Sequence, residues 1–255
     1  MTQDANEMDW TTWYDRWERQ QEAYVAYRED RFNAMLAMLG SLPPEFVAVD
    51  LACGPGSLAR RILGQFPGAR VIAIDFDPVM LAMARAAIPA SNGRLTVIDG
   101  DLADPEWPAR LGLEQVDAAV STTAIHWLHA GDILKLYRTV AGLLRPGGIF
   151  MNGDHMEFGA AQPLLHAAAR RVRNAHSTRA FESGAEEAEQ WWAALAEQPA
   201  AADLLAAHNQ AFAAKERPSY DPGFVLHEAA LRDAGFREVA TTWQFFENRV
   251  LTAIR

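Results

Sequence analysis

The sequence predicts an α/β protein, a three-layer sandwich with helices on both faces of a mostly parallel sheet. Three observations carry this prediction. Short apolar runs of strand length alternate with stretches of helical periodicity between residues 46 and 152. The first run enters a glycine turn that opens directly into a helix, and the C-terminus closes on two alternating segments spaced for a hairpin.

The first strand, Phe46 to Leu51, runs through Ala52-Cys53 into Gly54-Pro55-Gly56 and a helix over 57–66. Glycine has no Cβ, so it takes positive φ and lets the main chain approach a ligand, while the following helix presents unpaired N–H groups. Pro67-Gly68 closes that helix, and Arg70 to Asp75 is a second strand ending in an acid 19 positions after Gly56. This is the length of a helical crossover between neighbouring parallel strands, and it puts the Asp75 carboxylate where the ribose hydroxyls of a nucleotide lie. Asp77-Pro78 supplies the cap and first turn of the next helix, 78–87, which leaves Asp75 for a ligand.

Further strands are expected at 94–98, followed by Asp99-Gly100-Asp101-Leu102, and at 115–121, followed by Thr122-Thr123-Ala124-Ile125-His126-Trp127-Leu128. A helix over 133–144, stopped by Pro146-Gly147-Gly148, leads to a fifth strand at 149–152 that ends at Asp154-His155. A helix over 222–234 ends at Gly235, and strands 239–246 and 249–254 form an antiparallel C-terminal hairpin, seven strands in all.

Two regions stand outside this alternation. In the first, residues 1–44, Trp10, Trp13, Trp17, Tyr24, Tyr27, Met35 and Leu39 recur at helical spacing until Leu42-Pro43-Pro44, as one long or two short helices. Their aromatic side either packs against the main domain or forms a flap over a ligand that Tyr24 and Arg28, four residues apart, face together. The second, 159–218, reads as a helical insertion of about three helices serving as a substrate lid, so that the main domain is 45–158 with 219–255. Arg170, Arg171, Arg173 and Arg179 on the insertion are expected on a solvated face, paired with Glu182, Glu186 and Glu187; the sharper reading is a receptor for an anionic acceptor.

With 255 residues, half of them hydrophobic, the chain can bury a substantial core, and 23 Lys and Arg against 33 Asp and Glu leave a formal charge of −10. That charge opposes nucleic acid and anionic membranes as partners. The one cysteine, Cys53, excludes an intrachain disulfide or a multi-cysteine zinc site, and the histidines lack metal-ligand spacing, so no metal site is expected. With no signal-peptide pattern at the N-terminus and no apolar run approaching about 18 residues, a cytoplasmic location is expected.

Five segments in order, Val-Asp-Leu-Ala-Cys-Gly-Pro-Gly, Ile-Asp-Phe-Asp-Pro, Gly-Asp-Leu, Ser-Thr-Thr-Ala-Ile-His-Trp-Leu and Leu-Leu-Arg-Pro-Gly-Gly, make residues 46–156 and 222–255 resemble the class I S-adenosylmethionine-dependent methyltransferases. The His-Trp-Leu resembles the small-molecule branch that includes trans-aconitate methyltransferase. The resemblance implies a Rossmann-like sheet, S-adenosylmethionine as cofactor with S-adenosylhomocysteine as product, a small-molecule acceptor, and a monomer or homodimer. It implies that Gly54 and Gly56 line the methionine part of the cofactor, Asp50 orients its amino group, Asp75 binds the ribose and Asp101 accepts from the adenine amino group. Phe76 and Leu102 would flank the ring, and Ser121 would offer a main-chain carbonyl near the methionine end. Ala52 stands at the first glycine of the acidic-x-Gly-x-Gly-x-Gly pattern, where its methyl group is tolerable if φ stays negative.

The residues support this independently. S-adenosylmethionine carries an ammonium and a sulfonium, which suit the acids Asp50, Asp75 and Asp101 better than the pyrophosphate of a dinucleotide does. An NAD(P)-dependent oxidoreductase of the short-chain type needs a Tyr-x-x-x-Lys, and Tyr137 and Tyr220 are followed four residues later by Ala141 and Phe224. The other alternative is a non-catalytic cofactor-binding regulatory protein of the same fold. Methyl transfer needs a general base only if the acceptor atom must lose a proton. The candidates are His126, after the fourth strand, and His155 with Asp154, at the end of the fifth.

Overall fold

The computed structural model describes residues 8–88, 91–213, 215–216, 218 and 222–255. The first seven residues of the expected N-terminal cap, and residues 219–221 at the expected re-entry to the main domain, including Tyr220, lie outside the described residues.

The N-terminal helical pattern forms two helices, α1 (Trp10–Tyr24) and α2 (Arg28–Leu39). Asp9 starts α1 by accepting from the Thr12 N–H, and the break between the helices carries Tyr27 in the left-handed region, at φ 57°. The alternation then runs β1 (Val47–Leu51), α3 (Ser57–Gln65), β2 (Arg70–Asp75), α4 (Pro78–Ala87), β3 (Leu95–Asp99), β4 (Val116–Thr122), α5 (Ala130–Leu143) and β5 (Leu144–His155). The insertion holds α6 (Pro163–Glu182), α7 (Ala188–Ala196) and α8 (Ala202–Ala213), and the chain returns through α9 (Gly223–Asp233) to β6 (Glu238–Phe245) and β7 (Asn248–Ile254).

The seven strands form one sheet in the order β3-β2-β1-β4-β5-β7-β6. β1 to β5 are mutually parallel, and β7 runs antiparallel between β5 and β6. Strand order reverses between β1 and β4, which opens a crevice at the carboxyl ends of the strands. β5 is longer than the expected 149–152. Helix α5 already stops at Leu143, and Pro146-Gly147-Gly148 lies within the strand, at the register shift opposite Val116 and Ala118. Gly147 takes φ 81° there, so the glycine pair makes a bulge rather than a helix stop.

Both faces of the sheet are covered. On one, Val47, Val49 and Leu51 pack with Ile133, Leu136, Tyr137 and Val140 of α5 and with Leu231 of α9. On the other, Ala48, Ala118 and Val120 meet Leu58 and Ile62 of α3 and Phe32, Met35, Leu36 and Leu39 of α2. Helix α2 is therefore a layer of the sandwich, while α1 is the part that stands off it. Trp13 and Tyr14 of α1 join Val79, Met80 and Met83 of α4 and Trp191 and Leu195 of α7 in a third cluster. Trp191 is fully buried, edge-on to Trp13 at 5.4 Å and to Trp17 at 5.2 Å. The aromatic stripe thus ties α1 to both the main domain and the insertion.

Candidate active site

A cavity of about 1300 Å³ opens at the crevice, bounded by the β1–α3 turn, the ends of β2, β4 and β5, helix α1, and the insertion. It exceeds the ~300–1,000 Å³ usual for one small ligand, so it has room for two.

Ala52, Gly54 and Gly56 all have positive φ, at 50°, 55° and 80°. The expectation of negative φ at Ala52 is thus corrected: the turn needs three left-handed residues in close succession, and Ala52 bears the steric strain at one of them. The Gly54 N–H donates to Asp75 Oδ2 at 2.7 Å, and the Asp77 N–H donates to Asp75 Oδ1 at 2.9 Å. Asp77 caps α4 through the Val79 N–H, as the sequence indicates. Burial pushes the Asp75 carboxyl up to about 6 against those donors.

Tyr24, Arg28, Ala52, Gly54, Asp75, Phe76, Asp101, Leu102, His126 and His155 all line the cavity. Asp50, Gly56 and Ser121 are not among its lining residues. Asp50 is fully buried and accepts from the Ala59 N–H in the first turn of α3 at 3.1 Å, and burial pushes its carboxyl up to about 7. Ser121 Oγ donates to the Leu51 carbonyl at 2.9 Å. A Cβ on Gly56 would meet Ile88 Cδ1 at 2.9 Å, so this glycine allows close packing on the helix behind it. These three residues shape the turn.

At one end of the cavity Phe76 faces Phe212 of α8, with ring centroids 4.9 Å apart. Lys215 lies over the Phe76 ring at 5.3 Å and forms an ion pair with Asp101. At the α1 wall, the Tyr24 hydroxyl accepts from the Ala188 N–H at 3.0 Å, and buried Arg28 binds Glu18 at 2.7 Å. Burial works against ionised Glu18, yet Arg28 and Arg61 beside it hold its carboxyl down to about 2. Arg28 Nη1 is buried without a hydrogen-bond partner among the described residues.

At the β4 and β5 ends, His126 stands on a 3-10 turn, Ile125–Trp127, with Nδ1 2.7 Å from Oδ1 of buried Asp154. Asp154 also accepts from the N–H groups of His126, at 3.1 Å, and His155, at 2.8 Å. Its side-chain partner is thus His126 and not His155, which corrects the expected pairing: the two side chains adjacent along β5 project to opposite faces, while the loop after β4 brings His126 across. Burial pushes the Asp154 carboxyl up, but His126, His155 and Arg31 outweigh it and hold it below the usual carboxylate range. His155, mostly buried, is pushed down to about 4 and is neutral at pH 7.

Residues 48–148 match the family described as a methyltransferase domain. Trans-aconitate 2-methyltransferase of Methylobacterium radiotolerans is 34% identical over 131 residues, 49% of this chain and 45% of that protein. The Escherichia coli protein of the same name is 27% identical over 128 residues, 49% and 46% of the two chains. The chain therefore matches about half the length of these relatives. Among solved structures, magnesium protoporphyrin IX methyltransferase from Synechocystis, with bound S-adenosylhomocysteine, aligns at TM-score 0.57 and 18% identity, covering 96% of this chain and 95% of that one. The carbon methyltransferase CurJ aligns at TM-score 0.60 and 15% identity, covering 93% and 57%.

Over residues 48–148 the chain is similar to a methyltransferase domain.

The fold also brings to the site several residues that no sequence motif marks. Arg31, fully buried, binds Asn248 Oδ1 at 3.0 Å and the hydroxyls of Thr122, at 2.7 Å, and Thr123. Its position three residues after Arg28, on one face of α2, was a usable signal. Phe212 and Lys215 had none, because only the return of the insertion onto the domain places them at the cavity. Of the four insertion arginines, Arg173 lines the cavity and pairs with Glu247 and, at 3.9 Å, with Glu157; Glu186 pairs instead with Arg16. Among the described residues no cluster of three or more His, Cys, Asp or Glu could hold a metal ion, and no helix is long and apolar enough to cross a membrane.

Proposed function

We propose that this protein is an S-adenosylmethionine-dependent methyltransferase acting on a small molecule. The observation that carries the reading is the crevice at the strand-order reversal, where the glycine turn, Asp75 and Asp101 open onto one cavity with room for a second ligand. The residues present fit the cofactor. The Asp75 carboxylate can accept from ribose hydroxyls, Phe76 and Leu102 present apolar surface for the adenine ring, and Asp101 can accept from the adenine amino group when Lys215 yields it. The buried Arg28 Nη1 lacks an acceptor, which a carboxylate supplies.

When bound, S-adenosylmethionine supplies a methyl group on a positively charged sulfur that leaves as a neutral thioether. The chain's own task is then to align the acceptor and exclude water, which Trp17 and Trp192 at the cavity wall serve. The acidic charge suits a small-molecule partner over nucleic acid, and the single cysteine supports a cytoplasmic location. Calorimetry with S-adenosylhomocysteine and NADP, each titrated into the protein, tests the assignment. Binding of the first is expected; binding of NADP alone would place the protein among the oxidoreductases.

A further inference from the structure

Four rings form a continuous stack along the cavity, from the insertion to the main domain. Trp192 of α7 lies 4.4 Å from His208 of α8, His208 lies 4.5 Å from Phe212, and Phe212 lies 4.9 Å from Phe76 after β2, centroid to centroid. All four line the cavity. His208 Nδ1 also stands 3.0 Å from Asp77 Oδ2, so the stack is anchored on the carboxylate that caps α4. His208, Phe212 and Lys215, four and three residues apart, thus meet Asp77, Phe76 and Asp101 in turn. Phe76 and Asp101 are the residues that the cofactor reading gives to the adenine ring.

Resting on the methyltransferase reading, we propose that the end of α8 is a self-occluding plug: Phe212 and Lys215 occupy the purine subsite, and cofactor binding requires them to withdraw. Aromatic carbons in contact stand about 3.5 Å apart, so a purine between two rings needs about 7 Å from centroid to centroid. Phe76 and Phe212 are 4.9 Å apart, so a purine enters between them only when α8 recedes by roughly 2 Å. The Lys215 ammonium meanwhile takes the Asp101 carboxylate and lies over the Phe76 ring. Both contacts come from one helix end, so one movement releases both. The His208–Asp77 contact, one turn back along α8, holds the helix while its end moves. A purine restores what the plug gives up, a π face for Phe76 and an amino donor for Asp101. The plug therefore exchanges with the ligand rather than barring it.

Surface plasmon resonance on the immobilised protein, with S-adenosylhomocysteine and with adenosine, tests the plug. Phe212→Ala removes the ring contact and raises the open fraction, so the association rate constant is expected to rise about 2- to 10-fold, with dissociation little changed. Adenosine, which carries the purine and no amino-acid part, should gain affinity by the same factor. Lys215→Ala should move both ligands in the same direction, which keeps the test open if Phe212→Ala does not fold. Faster dissociation of both ligands from Phe212→Ala would make Phe212 a contact and overturn the proposal. So would unchanged association rates in both variants, or a gain confined to S-adenosylhomocysteine. Failure of S-adenosylhomocysteine to bind either the parent protein or the variants would instead overturn the methyltransferase reading.

Discussion

Cofactor affinity should depend on pH through Asp75. Its carboxyl sits at about 6 in the folded protein, against an ordinary 3.8, because burial outweighs the backbone donors that hold it. Ribose hydroxyls favour the ionised form, so binding draws the pKa back toward its ordinary value. A return of about two units corresponds to roughly 2.7 kcal/mol, or about 100-fold in affinity, present above pH 6 and lost as pH falls toward 4. From pH 7 to pH 5 the affinity for S-adenosylhomocysteine should therefore fall by about tenfold, and binding at pH 5 should release most of one proton. Calorimetry at both pH values, in buffers of different ionisation enthalpy, measures both quantities, and Asp75→Asn should bind more weakly at pH 7 and lose the pH dependence. The stability of the ligand-free protein moves the other way. A carboxyl raised above its unfolded pKa gives stability that is complete below about pH 4 and lost as pH rises through about 6, at most about 3 kcal/mol for Asp75. An affinity that is flat or rises toward low pH, or an Asp75→Asn variant with the same slope, would refute the reasoning.

Trp191→Ala removes the fully buried ring that joins α1 to α7 and should cost about 3–5 kcal/mol, read as a lower urea midpoint; a cost below about 1 kcal/mol would mean the insertion docks without it. Ala52→Gly should leave stability within about 0.5–1 kcal/mol of the parent, because relief of the left-handed strain at φ 50° offsets the unfolded-state entropy of glycine, whereas the same change at Ala48 in buried β1 should destabilise clearly in the same denaturation assay. Lys215→Ala releases Asp101 for a ligand and should tighten S-adenosylhomocysteine binding a few-fold, consistent with the ~0.2–1 kcal/mol of a partly exposed pair, while a loss of affinity would make Lys215 a contact rather than a competitor.

Much of this architecture was legible in the amino-acid order. The apolar runs at 46–51 and 70–75, the glycine turn and the Asp77-Pro78 cap are local signals, each set by neighbours a few residues away, and the seven strands and their hairpin followed from them. The acids at strand ends and the loop after β4 could likewise be placed at the ligand side, since every parallel strand of such a sheet points its carboxyl end to the same crevice. Side-chain partners were another matter. Asp50, Gly56 and Ser121 sit in the motif but off the cavity wall, where Asp50 Oδ2 accepts from α3, a Cβ on Gly56 would meet Ile88 and the Ser121 hydroxyl donates to the Leu51 carbonyl, and the sign of φ at Ala52 was set by closure of the turn.

The sequence by itself determined the order of elements, the glycine turn and which strand ends carry acids and histidines, because these depend on short-range periodicity and backbone chemistry. Only the tertiary structure decided that Asp154 holds His126 rather than His155, that Arg31 lies buried beneath them, and that Phe212 and Lys215 close the cavity. Those pairings span 28 to 217 residues of chain. They are selected by packing and by the electrostatics of burial, which no local pattern encodes.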